Sequence, residues 1–518
     1  MSNENAGNDG QQWRKQQPDT DKVVPLGVAQ SPQEDISGQQ GTSVKSTSEE
    51  GQSVGFVRAL GLFPATAINM SQMVGIGPFI TIPLMLAAFG GPQAILGWVI
   101  GAFIAMADGL VWSELGAALP SSGGTYVYLR EGYKYWLGRL MPFLFVWTTL
   151  LVTPLIMSTG MIGMAQYIGY FWPGMTPLET KLVAVGLTVL TVALLYRRIE
   201  SVAAITKVLW TVMIITVLIV IVAGATHFNP KLAFAYPAGA FTLTPHFFVG
   251  LGAGLVIAIY DYLGYFTTAY LGDEVANPGR VIPFSIILSI IGVGIIYLTM
   301  NLMVIGLVPW QVAAKSSTIG SLAVQTAWGP WAARLITVLI IFTAFASVYT
   351  GLLGGSRLPY NAAKDKLFFK PFGRLHKRLH FPHVSLLVMG IVTAIGCFFD
   401  LTLVISVLIA ASVVIQFIGQ IVALMILRVK QPELRRPYRQ WLYPLPSLIA
   451  LAGWIYIFIA SGFPAIPLAA GWTFLGVIAY LVWAYVEKMW PFQTIVSAER
   501  EPMEQRKDLA QQMCNESD

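Results

Sequence analysis

Residues 73–83 read MVGIGPFITIP, inside an otherwise apolar segment spanning about 60–89. Gly75, Gly77, Pro78 and Pro83 fall within this short stretch. Inside a helix, Gly is about 1 kcal/mol and Pro about 3 kcal/mol less favourable than Ala. The segment is long enough to cross a bilayer, so the stretch predicts a helix broken at mid-depth. Such a break exposes N–H groups at one half-helix start and C=O groups at the other half's end. In hydrocarbon these groups need protein, water or a ligand as partner.

The rest of the chain fits a membrane setting. Of 518 residues, 55% are hydrophobic and 11% charged, against roughly 25% charged in a soluble domain. Apolar runs of about 20 residues recur, the length of a transmembrane helix. This composition excludes a soluble multidomain protein. The net charge of +6 and pI near 9.1 come from basic residues in short connecting loops, which read as topology signals rather than a nucleic-acid surface. Residues 1–52 are polar and rich in Gln, Ser and Gly, with no apolar core of a signal peptide. They read as a disordered tail, as do residues 491–518. Cys397 falls in an apolar run and Cys514 in the polar tail, so no disulfide framework is expected. The five histidines are scattered, and no metal-binding cluster is expected.

Twelve spans are expected, at 60–89, 92–119, 140–171, 179–196, 202–225, 246–271, 281–307, 327–358, 382–399, 401–427, 442–462 and 466–489. Loop charges test the count. With the N-terminus inside, the inner loops hold Arg130, Lys134 and Arg139; Arg197 and Arg198; Arg280; six basic residues from Lys364 to Arg378; and five from Arg428 to Arg439. The outer loops hold only Lys181, Lys231, Lys315 and Arg334. The positive-inside rule then places both termini in the cytoplasm.

A second interruption falls in span six, where Ile259–Tyr265 reads IYDYLGY, with Asp261 among three tyrosines. Five spans separate the two breaks' starting points, and five is odd, so the second set enters from the opposite side. This is the pattern of inverted repeats, each opened by a discontinuous helix, with a solute site at the midplane. The expected domain, 53–490, comprises repeat one at about 58–225, repeat two at about 246–427 and peripheral helices at about 442–489. The fold class is an all-α integral membrane protein.

Four further blocks carry a resemblance: WSELGAALPSSGGTYVYLREGY (112–133), YLGDEVANPGRVIP (270–283), GGSRLPYNAAKDKLFFKPFGRLHKRLHFPHVSLL (354–387) and RRPYRQWLYPLPSLIAL (435–451). Together with the two breaks they resemble the amino acid–polyamine–organocation family of transporters, over nearly all of 58–490. The resemblance implies a five-plus-five inverted-repeat core, with spans one, two, six and seven as the moving bundle. It implies that backbone amides of the first break meet a substrate carboxylate. Where amino acid carriers of the family usually show Gly-Ser-Gly-Ile-Phe, this chain has Gly75-Ile76-Gly77-Pro78-Phe79. The plant polyamine carriers of the family are similar in having Gly-Pro-Phe or Gly-Pro-Tyr there, and an acid matching Asp108 relative to Glu114. The span-five lysine of some proton-coupled members corresponds to Met213 here, and Lys207 lies nearly two turns nearer the cytoplasm.

The expected substrate site is Gly75, Ile76, Gly77, Pro78, Tyr260, Asp261, Gly264 and Tyr265. A membrane-interior acid costs about 2.5–3.5 kcal/mol on the insertion scale and so faces a cavity or a partner. Asp261 therefore binds a substrate amine, takes a proton, or is a hydrogen-bonded structural acid. Tyr260, Tyr262, Tyr265 and Phe266 offer faces for cation–π contact or ordinary packing. Asp108, Lys207 and Glu114 are the candidates for ion coupling or gating: Asp108 with a cation in the pathway or as a structural acid, Glu114 (like Glu274) in an ion pair at the inner face, Lys207 as coupling group or snorkelling. Ser347, Tyr349, Thr350, Gln416 and Gln420 suit hydrogen bonds between helices.

The function expected is secondary transport of amino acids or related amines across the cytoplasmic membrane by alternating access. A polyamine or organic-cation carrier is the alternative, and a non-transporting nutrient sensor a third. No nucleophile–base pairing, cofactor motif or nucleic-acid surface suggests an enzyme. The partners expected are the small solute, membrane lipid, and either a coupling proton or an exchanged solute; the oligomeric state stays open.

Overall fold

In the computed structural model, residues 58–196, 202–376 and 381–487 are described, without the side chains of 202–209. Both expected tails and the side chain of Lys207 lie outside the described residues. Helices make up the fold: α1 (Leu62–Met73), α2 (Gly77–Phe89), α3 (Ile95–Ala118), α4 (Thr125–Tyr133), α5 (Leu140–Ile168), α6 (Pro177–Leu195), α7 (Val202–Thr226), α8 (Pro245–Tyr262), α9 (Pro278–Leu307), α10 (Ile319–Trp328), α11 (Pro330–Gly355), α12 (His383–Gly396), α13 (Leu401–Ser412), α14 (Gly419–Lys430), α15 (Leu445–Ala460) and α16 (Gly462–Val486). Among the described residues no strand occurs. One isolated parallel bridge joins Leu60 to Val275.

Among the described residues, eight helical stretches are long and apolar enough to cross a membrane, and α1 with α2 pass together as a pair bent by 51°. Trp210–Thr226, α12 and α15 are shorter and equally apolar. The outward faces of α6 and α16 carry large exposed apolar side chains such as Leu182, Val189, Phe474 and Val482. In water such surface would be a liability; against lipid tails it is matched.

With no water to drive apolar association, helix packing in a bilayer relies on close approach at small residues. The inner helix α3 shows this. A Cβ on Gly101 would meet Ala258 and Tyr262, one on Gly109 would meet Ile286 and Ile290, and one on Gly116 would meet Ile282. These glycines let α3 lie directly on α8 and α9. Between α13 and α14 the chain winds as a π-helix at Val413–Ile418, a feature that recurs at functional sites.

The second break falls at the Gly264 end of the stretch Ile259–Tyr265. Helix α8 continues through Tyr260, Asp261 and Tyr262 and ends at Leu263. Gly264, at φ +122°, is the residue that turns the chain, because side-chain-bearing residues rarely adopt that conformation. Asp261 therefore sits in the last helical turn rather than in the unwound segment.

Candidate substrate site

The first break spans residues 74–76. Val74 N–H closes α1 on Met70 O at 2.8 Å, and α2 restarts at Gly77 with Pro78 in its first turn. Proline is accepted there because its missing N–H has no helical partner anyway. The start of α2 is thus a positive pole inside the protein. Residues 73–80 are all buried.

The two breaks pack on one another. A Cβ on Gly264 would lie 2.8 Å from Gln72 Cβ and 2.9 Å from the Gln72 carbonyl carbon. Tyr297 of α9 donates its phenol toward Met73 O at 2.6 Å and Asp261 O at 3.1 Å. One hydroxyl, with a single hydrogen to give, thereby lies within reach of the carbonyl ends of both first half-helices. Asn69 of α1 holds the far side of the second break: its Nδ2 donates to Thr268 Oγ1 at 3.1 Å, and Thr268 N–H donates to its Oδ1 at 2.8 Å. The chain below is pinned again where Ala276 N–H donates to Leu60 O at 2.9 Å.

Asp261 lies where these parts converge. Its carboxyl is buried, and Oδ2 bonds Thr81 Oγ1 at 2.5 Å. Among the described residues Oδ1 has no hydrogen-bond partner, and it faces Gly77 so closely that a Cβ there would collide with it. The acid in the last turn of α8 therefore faces the start of α2. Tyr260 is buried beside it, and its hydroxyl bonds Thr159 Oγ1 of α5 at 2.6 Å. Gly75 is flanked by Ser347 of α11, whose Oγ would lie 2.8 Å from a Cβ at Gly75. Gly75, Ile76, Gly77, Pro78, Tyr260, Asp261 and Gly264 are thus brought together.

Tyr265 is not among them. Its phenol donates to Asp108 Oδ2, and Trp454 Nε1 of α15 donates to Oδ1 at 3.1 Å. Asp108 is buried between two neutral donors, not paired with a cation among the described residues. Tyr262 donates to Trp98 O at 3.2 Å, and Phe266 stacks on Trp112 at 4.3 Å. These rings pack and do not open onto Asp261.

Glu114 is an ion-pair centre. Arg428 Nε donates to Oε1 at 2.8 Å and its other arm to Oε2, Arg436 lies 3.5 Å away, and Gln440 N–H donates to Oε2 at 2.8 Å. Burial lowers the Arg436 guanidinium from its ordinary value, opposed by Glu114; arginine stays charged regardless. Glu274, expected in a similar pair, acts through its backbone: its carbonyl accepts from Ala59 and Leu60, both at 3.0 Å. Nearby, Ser122 N–H donates to Asp273 at 2.8 Å, Tyr126 donates to Asp365, and Thr125 donates to Gln420 at 2.8 Å. These contacts join α4 and the residues before it to the segments that carry Asp273, Asp365 and Gln420. Two cavities of about 410 Å³ each lie elsewhere, one on the opposite face around Tyr170, Lys181 and Asp400, the other apolar and bordered by α5, α12 and α16.

Asn69, Thr81, Tyr297 and Trp454 were not singled out by sequence reasoning. Asn69 and Thr81 had a signal, being polar groups one or two turns from the break; Tyr297 and Trp454 look like ordinary apolar-helix aromatics.

A family model described as amino acid permease matches residues 60–485. The branched-chain amino acid permease BcaP of Bacillus subtilis is 22% identical over 445 residues, 82% of this chain and 93% of that protein. The aspartate-proton symporter of the same organism is 26% identical over 349 residues, 64% of this chain and 65% of that protein. The human cystine/glutamate transporter is 27% identical over 450 residues, 83% and 86% of the respective chains.

Proposed function

The chain belongs to the amino acid permease family, and from that premise we propose that it is a secondary transporter moving amino acids or related amines by alternating access. Being a multi-pass membrane protein, it has the eight long apolar helices, the bent pair and the three shorter apolar helices to supply twelve spans. In this reading α1–α2 and α8 open two inverted five-span repeats, about 58–225 and 246–427, with α15 and α16 peripheral and both termini cytoplasmic. The tails at 1–52 and 491–518 are taken as disordered and cytoplasmic.

The observation that carries the reading is Asp261 Oδ1, a buried acceptor without a partner at the junction of two broken helices. A buried polar atom left unpaired is costly, and an incoming ammonium supplies the missing donor. The amides at the start of α2 suit a carboxylate or carbonyl on the same solute. Spans one, two, six and seven then move against spans three, four, eight and nine. Amino acids stand ahead of polyamines because the relatives named above are amino acid carriers.

Uptake of labelled amino acids into sealed proteoliposomes tests this. Accumulation supports transport; saturable binding without accumulation supports a sensor instead; accumulation of spermidine but of no amino acid supports the polyamine carrier.

A further inference from the structure

The segment that joins α14 to α15 uses its arginines in two different ways. Arg428 and Arg436 are occupied inside the protein. Arg428 donates to Glu114 through Nε at 2.8 Å and lies over the Tyr443 ring at 3.7 Å. Arg436 donates to the carbonyls of Leu427, Gln431, Pro432 and Leu434 at 2.9–3.3 Å. Gln440 N–H donates to Glu114 Oε2 at 2.8 Å, and Gln440 Oε1 accepts from Ser447 at 2.7 Å. These bonds fix the segment to α3 and to the start of α15, so its outer side is a built surface.

Burial alternates along this segment. Tyr438 and Gln440 are buried, whereas Arg435, Pro437, Arg439 and Trp441 are exposed. Arg435 and Arg439 have no acid or acceptor among the described residues. Arg280 is exposed next to them: a Cβ on its neighbour Gly279 would come within 2.5 Å of Pro437 Cβ. Residues 428–439 hold five basic side chains against one acid, Glu433. Beside these cations stand apolar side chains that nothing covers, Trp441 at 59% exposure and Leu442 at 79%. Leu442 takes φ +53°, a left-handed conformation rare for leucine, and one that persists only where the surroundings impose it. Helix α14 ends at Lys430 and α15 begins at Leu445, so the patch lies where two apolar helices leave the hydrocarbon.

Basic residues alone at such a place would serve topology. Guanidiniums beside an exposed indole and leucine match the two parts of a single molecule, an anionic headgroup and the chains below it. A phosphodiester offers the oxygens that a guanidinium fork takes, and tryptophan settles at the level of the headgroups. We propose that Arg435, Arg439 and Trp441 form a binding site for a phospholipid of net negative charge. The guanidiniums hold its phosphate, and its chains lie on Trp441 and Leu442. A zwitterionic phospholipid brings its own cation toward the arginines and is held less tightly. The arginines are presented by a segment that Glu114 ties to α3, so the lipid binds the folded state and stabilises it. This site stands apart from the junction of the two breaks and does not depend on which solute the protein carries.

The test melts the purified full-length chain in an uncharged detergent with increasing dioleoyl-phosphatidylglycerol or dioleoyl-phosphatidylcholine. Phosphatidylglycerol should raise the melting temperature saturably, and phosphatidylcholine should do so far less. With Arg435→Gln and Arg439→Gln combined, the half-maximal rise should need about tenfold or more phosphatidylglycerol. A control that removes two exposed cations between α11 and α12, Lys366→Gln with Arg374→Gln, should respond as the wild type does. Equal rises with the two lipids overturn the proposal. So does equal weakening in the two double variants, which would mean diffuse attraction, or the same rise with inorganic phosphate alone. Photocrosslinking of an azido-phosphatidylglycerol to the wild type decides even where a variant does not fold: label in the peptide 429–445 supports the site, and label only elsewhere overturns it.

Discussion

Gly77 opens the second half of the first span directly beneath the unpartnered oxygen of Asp261, with no room for a Cβ between them. Two halves of the chain separated by more than a hundred residues meet at that point. The contact accounts for glycine at 77 through space, since the residue is helical and φ imposes nothing.

A Gly77→Ala variant separates site from fold. Alanine is the better helix former by about 1 kcal/mol, but its buried Cβ meets Asp261 Oδ1 and overpacking costs about 1–3 kcal/mol, so the melting temperature should fall by no more than a few degrees. The methyl displaces Asp261 from Thr81, and amino acid uptake should fall about tenfold or more. Parallel thermal-shift and uptake assays check this; unchanged uptake would contradict the placement.

Gly264→Ala should fail on both counts. Alanine at φ +122° is strained by about 1–3 kcal/mol, and its Cβ runs into the Gln72 backbone. Lower melting temperature together with lost uptake is expected.

The ion pair of Glu114 with Arg428 makes a different prediction. Arg428→Gln leaves Glu114, which is fully buried, with the more distant Arg436. Breaking a buried pair costs about 3–5 kcal/mol, moderated here by Arg436 and the Gln440 amide. The melting temperature should drop, and Glu114→Gln added to Arg428→Gln should restore part of it. A double variant no more stable than the single would show that the acid is not the group left unpaired.

Tyr265→Phe removes one of the two donors to Asp108. An unsatisfied buried acceptor costs about 1–3 kcal/mol, and the loss should appear in thermal stability. Asp108→Asn on that background should recover stability, because an amide needs less compensation than a buried carboxyl deprived of a donor.

The first break was legible because its signal is local: two glycines and a proline within four residues have few helical explanations. Asp261 was legible for a similar reason, as an acid in an apolar run. Its partner was not. Thr81 looks like any helix threonine until the fold brings span six against it, and Tyr297 reaches both breaks through tertiary geometry that no periodicity records. Tyr265 misled in the opposite direction. Proximity in sequence suggested the solute site, but the left-handed turn at Gly264 sends it to Asp108. The extra turn of α8 through Tyr262 has the same origin, since the conformational switch lies at Gly264 and not at the acid.

A solute that crosses at the junction of the two breaks needs the space beside Gly77. Counterflow exchange of labelled amino acids in proteoliposomes, wild type against Gly77→Val, tests it most directly. Exchange is expected from the wild type, and none from Gly77→Val protein that remains folded at the assay temperature. Undiminished exchange by that variant would place the pathway elsewhere.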